Sequence, residues 1–332
     1  MSGDPRLTGH LAAAFTIFIW GITFVSTKIL LDVFAPIEIL VLRFVIGYIA
    51  LTLVYPRRMG LCSRTEEMLM MAAGLCGVTL YFLLENIALT YTYASNVGVI
   101  ISIAPFFTAI LAHFFLAGEK LRLNFFIGFL AAIMGIFLIS FNGIMVLQLN
   151  PIGDLLALLA AGVWAVYSVL TRKISGLGYH TIQTTRRIFF YGILFMLPVL
   201  LFFDVNWSLK PLAQPVYLFN LLFLGLLASA LCFVTWSLAV KRLGATKTTV
   251  YIYLVPVITV ATSVLVLQER LTGLAVLGIM LTLLGLVISE RQVAPGGKYD
   301  CRTNRKDQLK LRTSRHEFIT KTNKLSAHRH DL

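Results

Sequence analysis

Apolar residues run along this chain in ten long blocks, separated by short polar breaks. Each block approaches the roughly 20 residues that an α-helix needs to cross about 30 Å of hydrocarbon. The pattern predicts spans over residues 9–31, 36–55, 67–89, 95–117, 123–141, 152–172, 186–203, 217–240, 247–267 and 273–290. Strict apolar–polar alternation is absent, which argues against a membrane β-barrel. Pro36, Pro151 and Pro215 stand at predicted helix starts, where a missing N–H costs nothing. The expected fold is an all-α membrane protein with ten transmembrane helices.

The blocks also repeat. Trp20-Gly21-Ile22-Thr23-Phe24-Val25-Ser26-Thr27-Lys28 and Trp164-Ala165-Val166-Tyr167-Ser168-Val169-Leu170-Thr171-Arg172 lie 144 residues apart, with Trp, Val, Thr and the terminal base in register. Ala88, Ala94, Ser95 and Pro105 match Ala239, Ala245, Thr246 and Pro256 at an offset of 151. The reading is a short N-terminus (1–8), one five-span copy (9–141), a linker (142–151), a second copy (152–290) and a basic tail (291–332).

Five is an odd number, so two tandem copies enter the membrane in opposite senses, as an inverted repeat. Loop charges agree. Thr90-Tyr91-Thr92-Tyr93 follows the third span without charge, whereas the equivalent Lys241-Arg242-Leu243-Gly244 is basic. Arg57, Arg58, Arg64, Lys120, Arg122, Arg172, Lys173, Lys241, Arg242 and Lys247 fall in alternate loops, on the side of the basic tail. That side is expected to be cytoplasmic, with both termini there and the protein in the cytoplasmic (plasma) membrane. The opposite loops hold little beyond Lys210 and Arg270; Lys28 is the exception, near the outer end of the first span, with Asp32 one turn away as a partner.

Composition sharpens this picture. Of 332 residues, 58% are hydrophobic and 13% charged, and mean hydropathy is +0.85. A soluble domain carries about a quarter charged residues. The first block is too long for a signal-peptide core, so it is read as a retained span. Cys62, Cys76, Cys232 and Cys301 fit no metal motif and read as free thiols. The net charge of +13 is concentrated in the tail, which has no nucleic-acid-binding pattern. It reads as a solvated tail near anionic lipid, or else a regulatory segment that binds a partner.

Few residues carry candidate chemistry. Glu85 is a carboxylate within the third span, an expensive placement that points to a coupling group, although it could snorkel or pair with a base. Its repeat mate is Trp236. Pro105 and Pro256 are expected to kink the fourth and ninth spans. Trp20, Thr23, Ser26, Tyr81, Asn86, Ser95, Asn96, Trp164, Tyr167, Ser168, Trp236, Tyr251 and Tyr253 could wall a cavity suited to an amphipathic organic solute, some of the aromatics belonging instead to an interfacial belt. Arg43 and Arg187, 144 apart, would bind an anion or clamp helix ends; Glu119 and Glu269 suggest local ion pairs or helix-end roles. His113 is read as an interior residue rather than a proton relay. Gly128, Gly135, Gly278 and Gly285 suggest a packing seam within the chain or between protomers. There is no catalytic motif, nucleotide loop, metal set or cofactor signature.

Taken in order and twice over, these features resemble the drug/metabolite transporter superfamily and its EamA family of ten-helix carriers. The resemblance spans residues 9–290 and rests on Trp20-Gly21, Pro36 with Arg43, Asn86-x-Ala88-Leu89, Ser95 through Pro105, Glu119 and the spaced glycines, then on Trp164, Arg187, Ala239, Thr246, Pro256, Glu269 and Gly278. It implies a secondary carrier with a central cavity lined by spans 1, 3, 4, 6, 8 and 9, exporting amino acids, other metabolites or drugs. The expected partners are a small-molecule solute, the lipid bilayer, a coupling proton or exchanged solute, and a second copy in a homodimer; nucleic acid is not among them. The competing reading is a non-transporting sensor or scaffold that acts through the basic tail.

Overall fold

The computed structural model describes residues 4–57, 59–60, 63–91, 94–119, 123–140, 150–203, 208–267 and 273–291. Helices dominate the described residues. They are α1 (Pro5–Leu31), α2 (Pro36–Val54), α3 (Arg64–Tyr91), α4 (Ala94–Ile101), α5 (Ala104–Phe115), α6 (Leu123–Ser140), α7 (Pro151–Ser175), α8 (Thr181–Val199), α9 (Pro215–Leu243), α10 (Ala245–Val250), α11 (Leu254–Leu267) and α12 (Gly273–Arg291). Helices α1–α6 and α7–α12 form the two copies in the same order. Seven described helical stretches are long and apolar enough to cross a membrane, and α6 and α12 contain shorter apolar stretches. The fold is an all-α membrane fold built from two repeats.

Local chemistry fixes the helix starts. Pro36, Pro151 and Pro215 occupy the first turns of α2, α7 and α9. The Asn150 side chain accepts from the N–H groups of Ile152 and Gly153, both at 3.2 Å. Ser63 and Glu66 form a reciprocal capping box, so α3 starts at Arg64, ahead of the predicted 67. Helix α8 likewise starts at Thr181 rather than 186. Both first turns are polar, and apolar content alone does not register them.

At both predicted proline kinks the regular α-helix is interrupted. Pro105 cannot donate to the Ile101 carbonyl, and α4 stops at that residue. Ser102 and Ile103 make a tight turn before α5. In the second copy, Tyr251–Tyr253 forms a 3₁₀ turn between α10 and α11, just ahead of Pro256. The same positions are therefore interrupted in both copies.

A second matched irregularity left no mark in the hydrophobic pattern. Leu75–Leu80 in α3 and Phe223–Leu231 in α9 are π-helical. Moved by the 151-residue offset, the first falls on Leu226–Leu231, inside the second. Such segments rotate the following side chains relative to a regular helix and cluster at functional sites.

The copies share one aromatic core. Phe44 and Phe189, from equivalent helices, meet edge-to-face at 5.0 Å, and Phe189 meets Phe233 at 5.0 Å. Helices α6 and α12 pack along the four glycines, within the chain. A Cβ on Gly128 would lie 2.7 Å from the Gly285 carbonyl, and one on Gly135 would lie 2.6 Å from the Gly278 carbonyl. Side chains such as Leu53, Phe114, Leu201 and Phe219 are exposed, as expected of helices that face hydrocarbon.

Candidate functional site

A cavity lies between the two copies, with residues of both helix interruptions in its wall. It is lined by Ile17, Trp20, Thr23 and Phe24 from α1, Tyr81, Phe82 and Glu85 from α3, Ile101 at the end of α4, Trp164 from α7, and Ile252 and Val255 around the second break. Its volume is about 30 Å³, enough for a water molecule or two, so a metabolite enters only if the halves part.

Two tryptophans from equivalent positions form the middle of the wall. Trp20 and Trp164 pack edge-to-face at 5.1 Å, and Trp236 backs them at 5.1 and 5.7 Å. Their polar edges differ. Trp20 donates its indole N–H to the Ala228 carbonyl, inside the π segment of α9, at 2.9 Å. The Trp164 N–H is buried and has no partner among the described residues. The two tryptophans are equivalent in repeat position and unequal in hydrogen bonding.

Glu85 is 2% exposed and is the one charged residue among the described residues that line the cavity. Tyr81, a turn earlier, interacts with its carboxylate, while Oε2 lacks a partner among the described residues. Arg43, 1% exposed, supplies a compensating positive field. Its Nε donates to Ser229 Oγ at 3.0 Å, and its guanidinium lies 4.5 Å from the centre of the Phe82 ring. Arg187, its repeat mate, instead pairs with Glu67 at 2.7 Å, and Tyr191 also bonds that carboxylate. The matched arginines therefore serve different ends: Arg43 lies beside the cavity carboxylate and Arg187 joins α8 to Glu67 at the start of α3. The neighbouring Arg186 clamps backbone, donating to the carbonyls of Tyr55 and Arg57 at 2.8 and 2.7 Å.

Of the residues singled out in the sequence, Trp20, Thr23, Tyr81, Trp164 and Glu85 line the cavity. Trp236 supports it from behind. Asn86 is fully buried and donates to the Pro36 carbonyl at 3.1 Å, tying α3 to the start of α2. Ser168 bonds the Trp164 carbonyl at 3.0 Å, Tyr167 packs over Gly77, and Ser26 is buried on α1. Tyr251 meets His10 Nδ1 at 2.7 Å, and Tyr253 joins a separate core with Ala109 and Phe125. These seven lie outside the cavity lining in this conformation. The side chains of Ser95 and Asn96, and Glu269 entirely, fall outside the described residues. His113 is exposed near the end of α5.

The basic-loop face holds a contact that sequence spacing did not anticipate. Glu119 accepts from the Ala245 and Thr246 N–H groups, each at 2.9 Å, and from the Thr246 hydroxyl. A residue following α5 of the first copy thus caps α10 of the second, a helix-end role played across the two copies. Gly244, at φ +97° and ψ 166°, adopts a conformation essentially reserved for glycine, and a Cβ there would lie 3.0 Å from Glu119 Oε1. Arg172 adds a second inter-helix tie, donating to the Val240 and Lys241 carbonyls at 3.3 and 3.0 Å. At the opposite end, Lys28 donates to the Leu89 carbonyl at 2.7 Å, capping α3 rather than pairing with Asp32.

Known proteins share this architecture. Residues 7–141 and 151–290 each match the EamA-like transporter family. An uncharacterized transporter of Archaeoglobus fulgidus is 28% identical over 84% of this chain and 96% of its own length. A "Probable terminal-alkyne amino-acid exporter" of Streptantibioticus cattleyicolor is 27% identical over 85% of this chain and 93% of its own. A "Probable amino-acid metabolite efflux pump" of Escherichia coli is 26% identical, covering 83% and 93%. A solved crystal structure of a protein superposes with a TM-score of 0.69 at 21% identity over 86% of this chain and 99% of that one, a likeness of fold.

Proposed function

Because the chain belongs to the EamA-like transporter family, and is therefore a multi-pass membrane transporter, we propose that it exports a small organic metabolite across the cytoplasmic membrane by alternating access. The solute class is an amino acid, a related compound or a drug. The observation that carries this reading is the cavity itself, walled by both copies and containing, among the described residues, one carboxylate, Glu85.

The breaks at Ile101–Pro105 and Tyr251–Pro256 allow the halves of two passes to move separately around that cavity. Glu119 closes the basic-loop face in the present conformation by joining the copies. In the proposed cycle this face is cytoplasmic, with both termini on that side. Contacts there, including Glu119 with Thr246 and Arg172 with Lys241, break to admit solute and reform as it leaves outward. Glu85 is the proposed coupling group, taking a proton or the exchanged solute. Trp20, Thr23, Tyr81 and Trp164 hold the transported molecule. The names of the Streptantibioticus and Escherichia relatives support export and an amino-acid-like cargo.

The test is counterflow in proteoliposomes, with radiolabelled amino acids and related metabolites. The wild-type chain exchanges at least one of them, and an imposed proton gradient drives its net movement. Glu85→Gln loses the gradient-driven movement while remaining in the membrane. Undiminished gradient-driven flux in Glu85→Gln excludes Glu85 as the coupling group; no exchange of any solute by the wild type excludes carriage.

A further inference from the structure

We propose that the second copy carries an anion site on the basic-loop face, between the end of α7, the start of α8 and the end of α9, and that it takes a phosphate-type oxyanion. The site shares no lining residue with the central cavity and does not depend on what that cavity carries. A pocket of about 20 Å³ lies there, lined by Thr171 and Ser175 of α7, Tyr179 ahead of α8, Thr181 of α8, and Ser237 and Lys241 of α9. That space holds a water molecule, or one oxygen of a larger anion seated at the mouth. No carboxylate is among the described residues that line it.

Two observations point to a ligand. Thr171 is 3% exposed, and its hydroxyl has no partner among the described residues. A buried helical hydroxyl can bond the carbonyl four residues back, as Ser168 does. Thr171 makes no such bond and lines the pocket instead. The start of α8 is also left open. Its first turn has no acidic residue, and its N-cap, His180, makes no side-chain cap but stacks on the Tyr55 ring at 4.4 Å. A helix start presents backbone N–H groups and a positive dipole end, which favour an anion.

The first copy shows what the second lacks. Lys28 and Arg172 are 144 residues apart, and Leu89 and Val240 are 151 apart. Lys28 donates to the Leu89 carbonyl as Arg172 donates to that of Val240, so the two corners are built alike. In the first copy Glu38 brings a carboxylate to the start of α2, taking the Ala35 N–H at 2.7 Å. Ile182 stands at the Glu38 position of the second copy, and Lys241 at the position of the neutral Thr90. The second corner has exchanged a built-in anion for a cation. An external anion restores the balance, and a tetrahedral one offers several acceptor oxygens to the Lys241 ammonium, the α8 start and the Thr171 and Ser237 hydroxyls. The end of α9 does not oppose it, because Arg172 occupies the Val240 and Lys241 carbonyls. Glu66, reached through Tyr179, already accepts that hydroxyl and the Ser63 N–H.

The test uses the purified full chain and two probes. Inorganic phosphate is titrated in detergent at constant ionic strength, with chloride as the balancing anion. Phosphatidic acid is titrated into phosphatidylcholine nanodiscs. The melting temperature is followed in both. At least one probe raises that of the wild type in a saturable way. Lys241→Gln, a change at an exposed side chain, melts as wild type without anion and weakens the response about ten-fold or more. Thr171→Val weakens it several-fold, and Ile182→Glu, which installs the first copy's carboxylate, abolishes it. Lys173→Gln removes an equal charge from an exposed position outside the lining and stays within about two-fold of wild type. A response to phosphate alone assigns the site to a free anion, and one to phosphatidic acid alone to a lipid headgroup; either upholds it. No response to either probe, an undiminished response in Lys241→Gln, or an equal loss in Lys173→Gln overturns the proposal.

Discussion

Glu119 and Thr246 belong to different copies of the repeat, yet the carboxylate of one caps the helix that begins beside the other, taking two backbone N–H groups and a hydroxyl. A cap normally stabilises the end of one helix. Here it also fastens the two halves of the molecule at the basic-loop face, and movement of those halves requires its release.

Removing the Glu119 carboxylate is therefore expected to expose that face. In a background free of native cysteines, Thr249→Cys is buried and reacts slowly with a membrane-impermeant thiol reagent. Adding Glu119→Ala costs about 1–2 kcal/mol of capping and raises the labelling rate several-fold from the basic-loop side. An unchanged rate means the cap does not hold the face closed.

Gly244 has a separate role. Its φ of +97° and ψ of 166° strain any other residue by about 1–3 kcal/mol. Gly244→Ala lowers the melting temperature in detergent even with Glu119 intact. An unshifted transition indicates that the turn rearranges freely.

The glycine seam gives a prediction about packing. Gly135→Leu drives side-chain atoms into the Gly278 carbonyl region, where a Cβ alone would already lie at 2.6 Å. Overpacking costs about 1–3 kcal/mol or more. The variant is expected to give less folded, monodisperse protein than the wild type in size-exclusion chromatography. The control is Met134→Leu, one residue away but exposed on the outer side of α6, which elutes as wild type. Equal behaviour of the two variants contradicts a tight α6–α12 contact.

The paired tryptophans respond unequally to the same change. Trp20→Phe loses the bond to Ala228 and about 1 kcal/mol of stability. Trp164→Phe removes an N–H with no partner among the described residues, so its melting temperature falls less. The reverse order contradicts the difference in hydrogen bonding between the two tryptophans.

The helical, twice-written membrane fold was legible because hydrocarbon forces long apolar blocks, and a duplicated gene leaves Trp20 and Trp164, or Pro105 and Pro256, in register. Five cavity residues were legible for a simpler reason: polar and aromatic side chains within apolar spans have few other uses. The π segments were not, since an extra residue per turn leaves composition unchanged. Nor was the cap by Glu119, whose partners are backbone N–H groups 126 and 127 positions away. Asn86 and Tyr251 looked equally suited to a cavity wall, but the rotation of each helix, which single-residue reasoning does not give, turns them toward Pro36 and His10.

Opposite insertion of the two copies around one cavity underlies every step proposed, and Thr90 and Lys241 report on it directly because they occupy the same repeat position, 151 residues apart. Single cysteines at these sites, in intact cells treated with an impermeant thiol reagent, give the reading. Labelling of Thr90→Cys from outside, with Lys241→Cys labelled only after permeabilisation, is the predicted result. Labelling of both from one face contradicts the account.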